Sequence, residues 1–154
     1  PIDLLKAELE AQGFEVEIHE SPMDKIANLP PEEQMKSIMN AYAAKRPIKE
    51  LTDKYDLIIN VANVKMGEVV QRMTWNALKG TPDIPFYVHE IPTIFVSVNY
   101  PFHLADVPQV KTYINAYDGN KGTIELLVEK MMGKSEFKGK DPVDSYCGLI
   151  DTRI

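Results

Sequence analysis

Residues 93–98 (TIFVSV) form the stretch of sequence that decides the fold. The run is short and rich in β-branched residues, and Pro92 and Asn99 bound it, which is typical of a buried strand. A similar run lies at residues 56–61 (DLIINV), and a weaker strand is predicted over residues 112–117 (TYINAY). Short apolar strands of this kind indicate a parallel sheet that is covered on both faces.

Helical patterns alternate with these strands. Ile2, Leu5 and Leu9 recur at three- and four-residue spacing, and Gly13 follows them as a stop signal. A second helix is predicted after Asn28, with an apolar stripe of Met35, Ile38, Met39 and Tyr42, and a shorter one runs from Pro47 through Leu51. Helices are also predicted over residues 63–80 and residues 103–107. The last predicted helix carries Ile124, Leu127, Val128 and Met131 on one face and ends at Gly133.

Two further segments complete the prediction. Phe14, Val16 and Ile18 alternate with polar residues, which predicts a strand with one solvent-facing side. The tail from Phe137 onward has mixed polarity and predicts an extended, irregular surface segment. Strands that alternate with helices favour the α/β class, as a three-layer αβα sandwich with a mostly parallel, Rossmann- or flavodoxin-like sheet. We predict one such domain over residues 1–154.

The composition excludes several classes of partner. Hydrophobic residues make up 44% of the chain, and the net charge is −6 without any basic run. This balance argues against nucleic acid and anionic membrane surfaces as partners. No apolar run reaches the roughly 20 residues that a membrane span requires. The single cysteine, Cys147, excludes an internal disulfide and a Cys-rich zinc site, and the cytosol and a bacterial cell surface both stay open as compartments.

Common catalytic and cofactor motifs are absent from the sequence. There is no Walker A sequence, no G-x-G-x-x-G after a strand and no G-x-S-x-G elbow. His19, His89 and His103 lack metal-ligand spacing, and the acidic pairs fit solvated helix faces. Ser97 lies inside a core strand, where we expect its hydroxyl to bond local backbone. We therefore predict no catalytic residue, no metal and no cofactor in this chain.

The position of ligand sites in open α/β folds still indicates candidate binding residues. In open α/β sheets, ligands bind beyond the carboxyl ends of the strands. For Arg72, Trp75 and His103 a packing role is favoured over a ligand role when each is taken singly. The candidate cleft residues at this edge are Asn63, Lys65, Arg72, Trp75, Asn99, Tyr100 and His103.

The second half of the chain carries an ordered series of motifs. Residues 92–106 (PTIFVSVNYPFHLAD) are close to a strand followed by "s-P-Y-x-L-x-D", and residues 113–117 (YINAY) match "a-y-l-x-A-Y". Residues 131–133 (MMG) correspond to "x-x-L-f-G", and residues 137–143 (FKGKDPV) correspond to "f-x-G-x-x-P-V". In order and spacing this series resembles the carboxyl-terminal domain of glycoside hydrolase family 3 proteins, most closely their β-N-acetylhexosaminidase branch.

The resemblance implies a partner domain. In that branch an amino-terminal TIM barrel carries an Asp nucleophile and an Asp–His acid/base pair, and none of these roles transfers to a residue of this chain. The expected function is therefore a non-catalytic domain, inactive alone, that supports the barrel and lines its cleft in an enzyme acting on N-acetylglucosamine-containing glycans such as peptidoglycan fragments. The family also has a strand before the first helix, whereas this sequence begins with the helix. Either the start of the given chain omits that strand or the sheet is rearranged, and we expect an unpaired gap in the sheet to favour self-association.

Two alternatives stay open at this point. The αβα pattern is equally typical of a free-standing, flavodoxin-like module that binds a small ligand. A weaker alternative is an enzyme that uses the edge between Asn99 and His103 together with a partner chain.

Overall fold

A computed structural model describes residues 1–43, 48–64, 73 and 84–149 of the chain. The elements of these residues follow one another as α1 (Ile2–Ala11), α2 (Pro22–Ala27), α3 (Pro31–Ala43), α4 (Ile48–Thr52), β1 (Ile58–Ala62), β2 (Thr93–Ser97), the 3-10 helix η1 (His103–Ala105), β3 (Thr112–Asn115) and α5 (Lys121–Met131).

The three described strands form one parallel sheet in the order β1-β2-β3. Phe95 is in register with Tyr113, and their rings stack at a centroid distance of 5.7 Å. On the other side of β2, the Val98 N–H donates to the Ala62 carbonyl at 3.0 Å. A parallel sheet with flanking helices confirms the predicted three-layer α/β class.

The chain divides into two compact units. The first comprises Pro1–Ile18, Ile59–Met73 and Ile94–Ile154, and the second comprises His19–Ile58 and Thr74–Thr93. The expectation of one domain over residues 1–154 stays a prediction.

The core of the first unit lies between the sheet and two helices. Val96 and Val98 are fully buried, at 0% exposure, and α1 packs against α5. The buried members of this cluster are Leu5, Leu9, Val96, Val98, Ile124, Leu127 and Val128. Each fully buried side chain of this size stabilises the fold by about 1.5–3 kcal/mol relative to leaving it in water.

Local signals set the limits of the two helices. Gly13 follows α1 with a φ of 94°, and Gly133 follows α5 with a φ of 71°. Both angles lie in the left-handed region, where glycine has no steric penalty, so these glycines end the helices. At the start of α5 the Asn120 side chain accepts a hydrogen bond from the Thr123 N–H at 2.9 Å.

The second unit has a smaller core of its own. Leu51 in α4 packs with Tyr87 and Ile91, which are 1% and 2% exposed. The Ile58 N–H donates to the Pro92 carbonyl at 3.0 Å within this unit. The described part of the proline-flanked segment before β2 contains no helix or strand, and yet Tyr87, Val88 and Ile91 within it are buried.

In the first half of the chain two predictions are corrected and one helix is added. Residues 14–18 have no regular secondary structure, because Val16 alone joins the core while Phe14 and Ile18 are 46% and 38% exposed. Helix α2 was not predicted. The stripe on α3 is wrong as well, because Met35 and Met39 are 67% and 62% exposed.

Most of the remaining predicted elements agree with the structure where it describes them. The strands at residues 56–61, 93–98 and 112–117 correspond to β1, β2 and β3, with ends that differ by one or two residues. The helix starting at Pro47 is present as α4, although Pro47 itself lies outside the described residues. The helix predicted over residues 63–80 is not present at residues 63, 64 and 73, and the rest of that prediction lies outside the described part of the chain.

We expect Gly119→Ala to destabilise the fold. A Cβ at Gly119 would lie 2.6 Å from Pro1 Cγ and 3.1 Å from Pro1 Cβ, and a change of ring pucker shifts Cγ while leaving Cβ nearly in place. Overpacking of this kind costs about 1–3 kcal/mol, which a lower urea midpoint at unchanged m-value would measure.

Gly122→Ala is the matched control for this substitution. A Cβ at Gly122, inside α5, would meet only the Asn120 Oδ1 atom, at 3.5 Å. Alanine in a helix is about 0.5–1 kcal/mol more favourable than glycine, so the midpoint should rise. Equal midpoints for the two variants would contradict the proposed contact between Gly119 and Pro1.

Candidate functional site

Three asparagines lie where the parallel strands end. Asn63 follows β1 directly, Asn99 lies two residues beyond β2, and Asn115 is the last residue of β3. The Asn99 Nδ2 group donates a hydrogen bond to Asn63 Oδ1, so the structure brings these two predicted residues together. The amide pair leaves donors on Asn63 and an acceptor oxygen on Asn99 at the sheet edge.

Three of the other candidates cannot be placed. Lys65, Arg72 and Trp75 lie outside the described residues. Their assignment to the substrate cleft stays a prediction.

The turn after β2 is held by its own side chains. The Ser97 hydroxyl donates to the Tyr100 carbonyl at 2.5 Å, which confirms that Ser97 bonds local backbone. The Tyr100 ring meets the His103 ring edge-on, with centroids 5.0 Å apart. His103 is fully buried, as expected for a packing role.

His103 and Asp106 form a buried pair in and after η1. His103 Nδ1 lies 3.4 Å from Asp106 Oδ2, and the side chains are 0% and 5% exposed. The same Asp106 oxygen accepts a hydrogen bond from the Met73 N–H at 3.1 Å. Asp106 therefore links the turn after β2 to a backbone position in the segment between β1 and β2.

A second polar network begins at β3. The Tyr113 hydroxyl donates to Asn115 Oδ1 at 3.0 Å, and Asn115 Nδ2 donates to Asp141 Oδ2 at 2.6 Å. Asn115 Nδ2 also lies 3.3 Å from the Pro101 carbonyl. Burial raises the pKa of Tyr113 to about 12. The phenol therefore stays protonated and keeps donating at neutral pH.

Tyr117 extends this network to the surface. Its φ of 63° is unusual for a residue with a bulky side chain, and its side chain is 44% exposed. Its hydroxyl donates to Asp141 Oδ1 at 2.6 Å. Partial burial of the phenol and the adjacent Asp141 carboxylate both raise the pKa of Tyr117. Asp141 thereby fixes the tail of the chain to the end of β3.

The described groups at this edge are mainly hydrogen-bonding side chains and aromatic rings. Among the described residues, no group of three or more His, Cys, Asp or Glu side chains is placed to hold a metal ion. Nor does any helix in the described ranges have the length and hydrophobicity that a membrane span needs. Cys147 is exposed.

Four residues of the edge were not predicted as site residues. They are Asp106, Tyr113, Asn115 and Tyr117, and Asp141 of the tail joins the last two. The rule of strand ends applies to β3 as it does to β1 and β2, and it would have selected Asn115 and Tyr117. The contact with Asp141 has no signal in the sequence, because it joins residues that are 24 and 26 positions apart.

We expect Asp106→Ala to destabilise the chain. The variant leaves the buried His103 ring without its carboxylate and the Met73 N–H without its acceptor, at a cost of about 1–3 kcal/mol. Asp53→Ala is the control, because it removes only an exposed pair with Lys49 and should cost no more than about 0.5 kcal/mol. Urea unfolding measures both, and similar losses would argue against a special role for Asp106.

We also expect stability to fall at alkaline pH through Tyr113. Its pKa in the folded chain is about 12, above the ordinary value of about 10, so the contribution is complete below pH 10 and is lost as the pH rises toward 12. In Tyr113→Phe the free energy of unfolding should depend less steeply on pH across this interval. An unchanged slope in the variant would exclude Tyr113 as the group responsible.

Comparison with known proteins identifies relatives of this chain, although no family model matches it. The chain is 39% identical over 110 residues to a protein of Cellulomonas fimi named beta-N-acetylglucosaminidase/beta-glucosidase. The match takes in 70% of this chain and 19% of that protein.

Solved structures also include relatives of this chain. The beta-glucoside phosphorylase BglX superposes with a TM-score of 0.71 at 36% sequence identity, over 96% of this chain and 23% of the phosphorylase chain. The structure of that phosphorylase bound to 2FGlc matches equally well.

The chain thus spans about a fifth of the length of the relatives that it matches. Identity, superposition and the ordered motifs of its second half agree with one another. The chain belongs to glycoside hydrolase family 3 and corresponds to the carboxyl-terminal αβα domain of proteins in that family.

Proposed function

We propose that this chain is the non-catalytic carboxyl-terminal domain of a β-N-acetylhexosaminidase of family 3. The whole enzyme acts on glycans that contain N-acetylglucosamine, such as peptidoglycan fragments. An amino-terminal barrel carries the catalytic groups, and this domain supports the barrel and lines one side of the substrate cleft.

This proposal rests on the difference between the share of this chain and the share of its structural relative that the match takes in. Nearly all of this chain matches the phosphorylase structure, and yet the match takes in only 23% of that protein. The remaining length is more than enough for a barrel of about 250 residues, the usual size of that fold. A division of labour between a barrel and a second domain fits these proportions.

The hydrogen bonding of the two edge carboxylates supports a non-catalytic role. Asp141 accepts hydrogen bonds from Asn115, Tyr117 and the Val143 N–H. Asp106 is buried and accepts one from Met73. A general acid or base has to reach the substrate, whereas these carboxylates are already engaged in holding loops in place.

The amide pair supports a place beside the cleft. Asn63 and Asn99 lie beyond the carboxyl ends of β1 and β2, where ligands of open α/β sheets bind. Amides offer both donors and acceptors, which suits sugar hydroxyls and an acetamido group. The name of the Cellulomonas fimi relative includes β-N-acetylglucosaminidase activity and so supports the choice of substrate.

Activity measurements on two proteins test the proposal. The chain alone should not release p-nitrophenol from p-nitrophenyl N-acetyl-β-glucosaminide, because the nucleophile lies outside it. The full-length protein encoded by the same reading frame should release it with ordinary enzymatic turnover. Turnover by the chain alone would refute the non-catalytic role of this domain. An inactive full-length protein would refute the proposal that N-acetylglucosaminides are the substrate.

The same assay distinguishes hydrolysis from phosphorolysis. One structural relative is named a phosphorylase, so inorganic phosphate is a second candidate acceptor. Hydrolysis yields N-acetylglucosamine at a rate that is independent of phosphate. Formation of the sugar 1-phosphate, at a rate that rises with added phosphate, would show instead that the full-length protein is a phosphorylase.

The alternative of a free-standing ligand-binding module rests on the architecture alone. A parallel sheet with flanking helices also binds flavins and nucleotides at the carboxyl edge of its strands. Purified chain that retains a flavin or nucleotide after gel filtration would favour this alternative.

A further inference from the structure

Tyr117 combines three properties at the end of β3. The residue has a φ of 63°, its side chain is 44% exposed, and it lies two residues beyond the last residue of the strand. The left-handed backbone conformation costs a bulky residue about 1–3 kcal/mol. Strain of this kind persists where the surroundings enforce it, and it is concentrated at ligand-binding sites.

The hydrogen bond to Asp141 accompanies this conformation. The Tyr117 hydroxyl lies 2.6 Å from Asp141 Oδ1, and the other carboxylate oxygen accepts from Asn115. Asp141 also accepts from the Val143 N–H at 3.0 Å, so its own backbone is held in a turn. The hydroxyl is therefore fixed at one end of the ring, while much of the side chain remains accessible to solvent.

The tail that carries Asp141 is attached at further points on both sides. Before Asp141, the Lys130 ammonium donates to the Glu136 carbonyl at 2.5 Å. After it, the Tyr146 hydroxyl donates to the Leu104 carbonyl at 3.2 Å. The position of the carboxylate, and with it the orientation of the tyrosine ring, is thus set by the first unit of the fold.

The neighbouring groups indicate what kind of ligand such a ring would take. Asn63 and Asn99 end the other two strands of the same sheet, and adjacent strands are about 4.8 Å apart, so the edge from the first to the third strand spans roughly 10 Å. Amides recognise hydroxyl and acetamido groups, and an aromatic ring takes an apolar face. The Asp141 carboxylate and the net charge of −6 disfavour an anionic ligand.

We propose that Tyr117 is a stacking platform for a neutral pyranoside ring, with Asp141 as the positioning residue that holds it. The inference rests on the proposed function, since it places a sugar of the substrate on this domain. It goes beyond that function by naming the residue that makes the contact. The ligand class is an uncharged β-linked glucoside or N-acetylglucosaminide.

Titration of the isotopically labelled 154-residue chain with N,N′-diacetylchitobiose tests the proposal by nuclear magnetic resonance. Saturable shifts are expected at the ring and amide signals of Tyr117. Tyr117→Ala should weaken binding about tenfold, which is the effect of losing one good aromatic contact. Tyr117→Phe retains the ring but loses the hydrogen bond to Asp141, so its affinity should lie between those of the original chain and Tyr117→Ala. An affinity equal to that of the original chain would refute the positioning role of Asp141.

Phe137→Ala is the matched control. Phe137 is an aromatic residue of the same unit, 56% exposed, and its ring lies 5.7 Å from the Lys130 ammonium. Its removal should leave the affinity for the sugar unchanged. Well-dispersed amide spectra of all three variants establish that each is folded, so a loss of binding reports the contact itself.

The outcomes separate this proposal from the function on which it rests. The platform is refuted if Tyr117 shows no saturable shift, or if the shifts persist undiminished in Tyr117→Ala. Glycosidase activity of the full-length protein would then still support the proposed function. Conversely, if the sugar binds at Tyr117 but the full-length protein is inactive, the stacking role of Tyr117 is supported and the proposed glycosidase function is refuted.

Discussion

The structure of the first unit depends on the burial of Val96 and Val98 beneath two helices. These side chains are fully excluded from solvent, and β2, which carries Val96, is the central strand to which both other strands are paired. Since α1 precedes the sheet and α5 follows its last strand, the core brings together two helices that are far apart in the sequence. The strands are parallel, so their three carboxyl ends lie at one edge of the sheet.

That edge is built from short polar contacts between loops rather than from the strands themselves. Ser97 and Asp106 hold backbone groups in place, and Asp141 ties the tail to β3. Each of these side chains uses its oxygen atoms on protein partners. Among the described residues, the amides of Asn63 and Asn99 and the ring of Tyr117 lie at the same edge.

Much of the fold could be predicted because its main elements have strong local signals. The run at 93–98 is apolar and β-branched, and α1 and α5 have regular apolar spacing with glycines in positive φ behind them. Helix α2 was missed although Ser21 caps it and Pro22 begins it, because a helix of six residues has too few turns to show a period. Met35 and Met39 are exposed although they belong to an apolar stripe, since such a stripe is buried only where another element covers it. For the site, strand ends located Asn63 and Asn99, whereas the contact of Tyr117 with Asp141 depends on the path of the tail.

The backbone at Tyr117 has a consequence for how this domain responds to selection. At a φ of 63°, glycine is the residue that the backbone itself prefers, and replacing the tyrosine would relieve roughly 1 kcal/mol or more of strain. The same substitution would also remove the hydrogen bond to Asp141, which fixes the tail to the end of β3. A hydrogen bond to a charged partner contributes about 1.5–3 kcal/mol, so the loss is at least as large as the relief of strain. Backbone strain and attachment of the tail are therefore opposed at this one residue, and a substitution that improves one weakens the other.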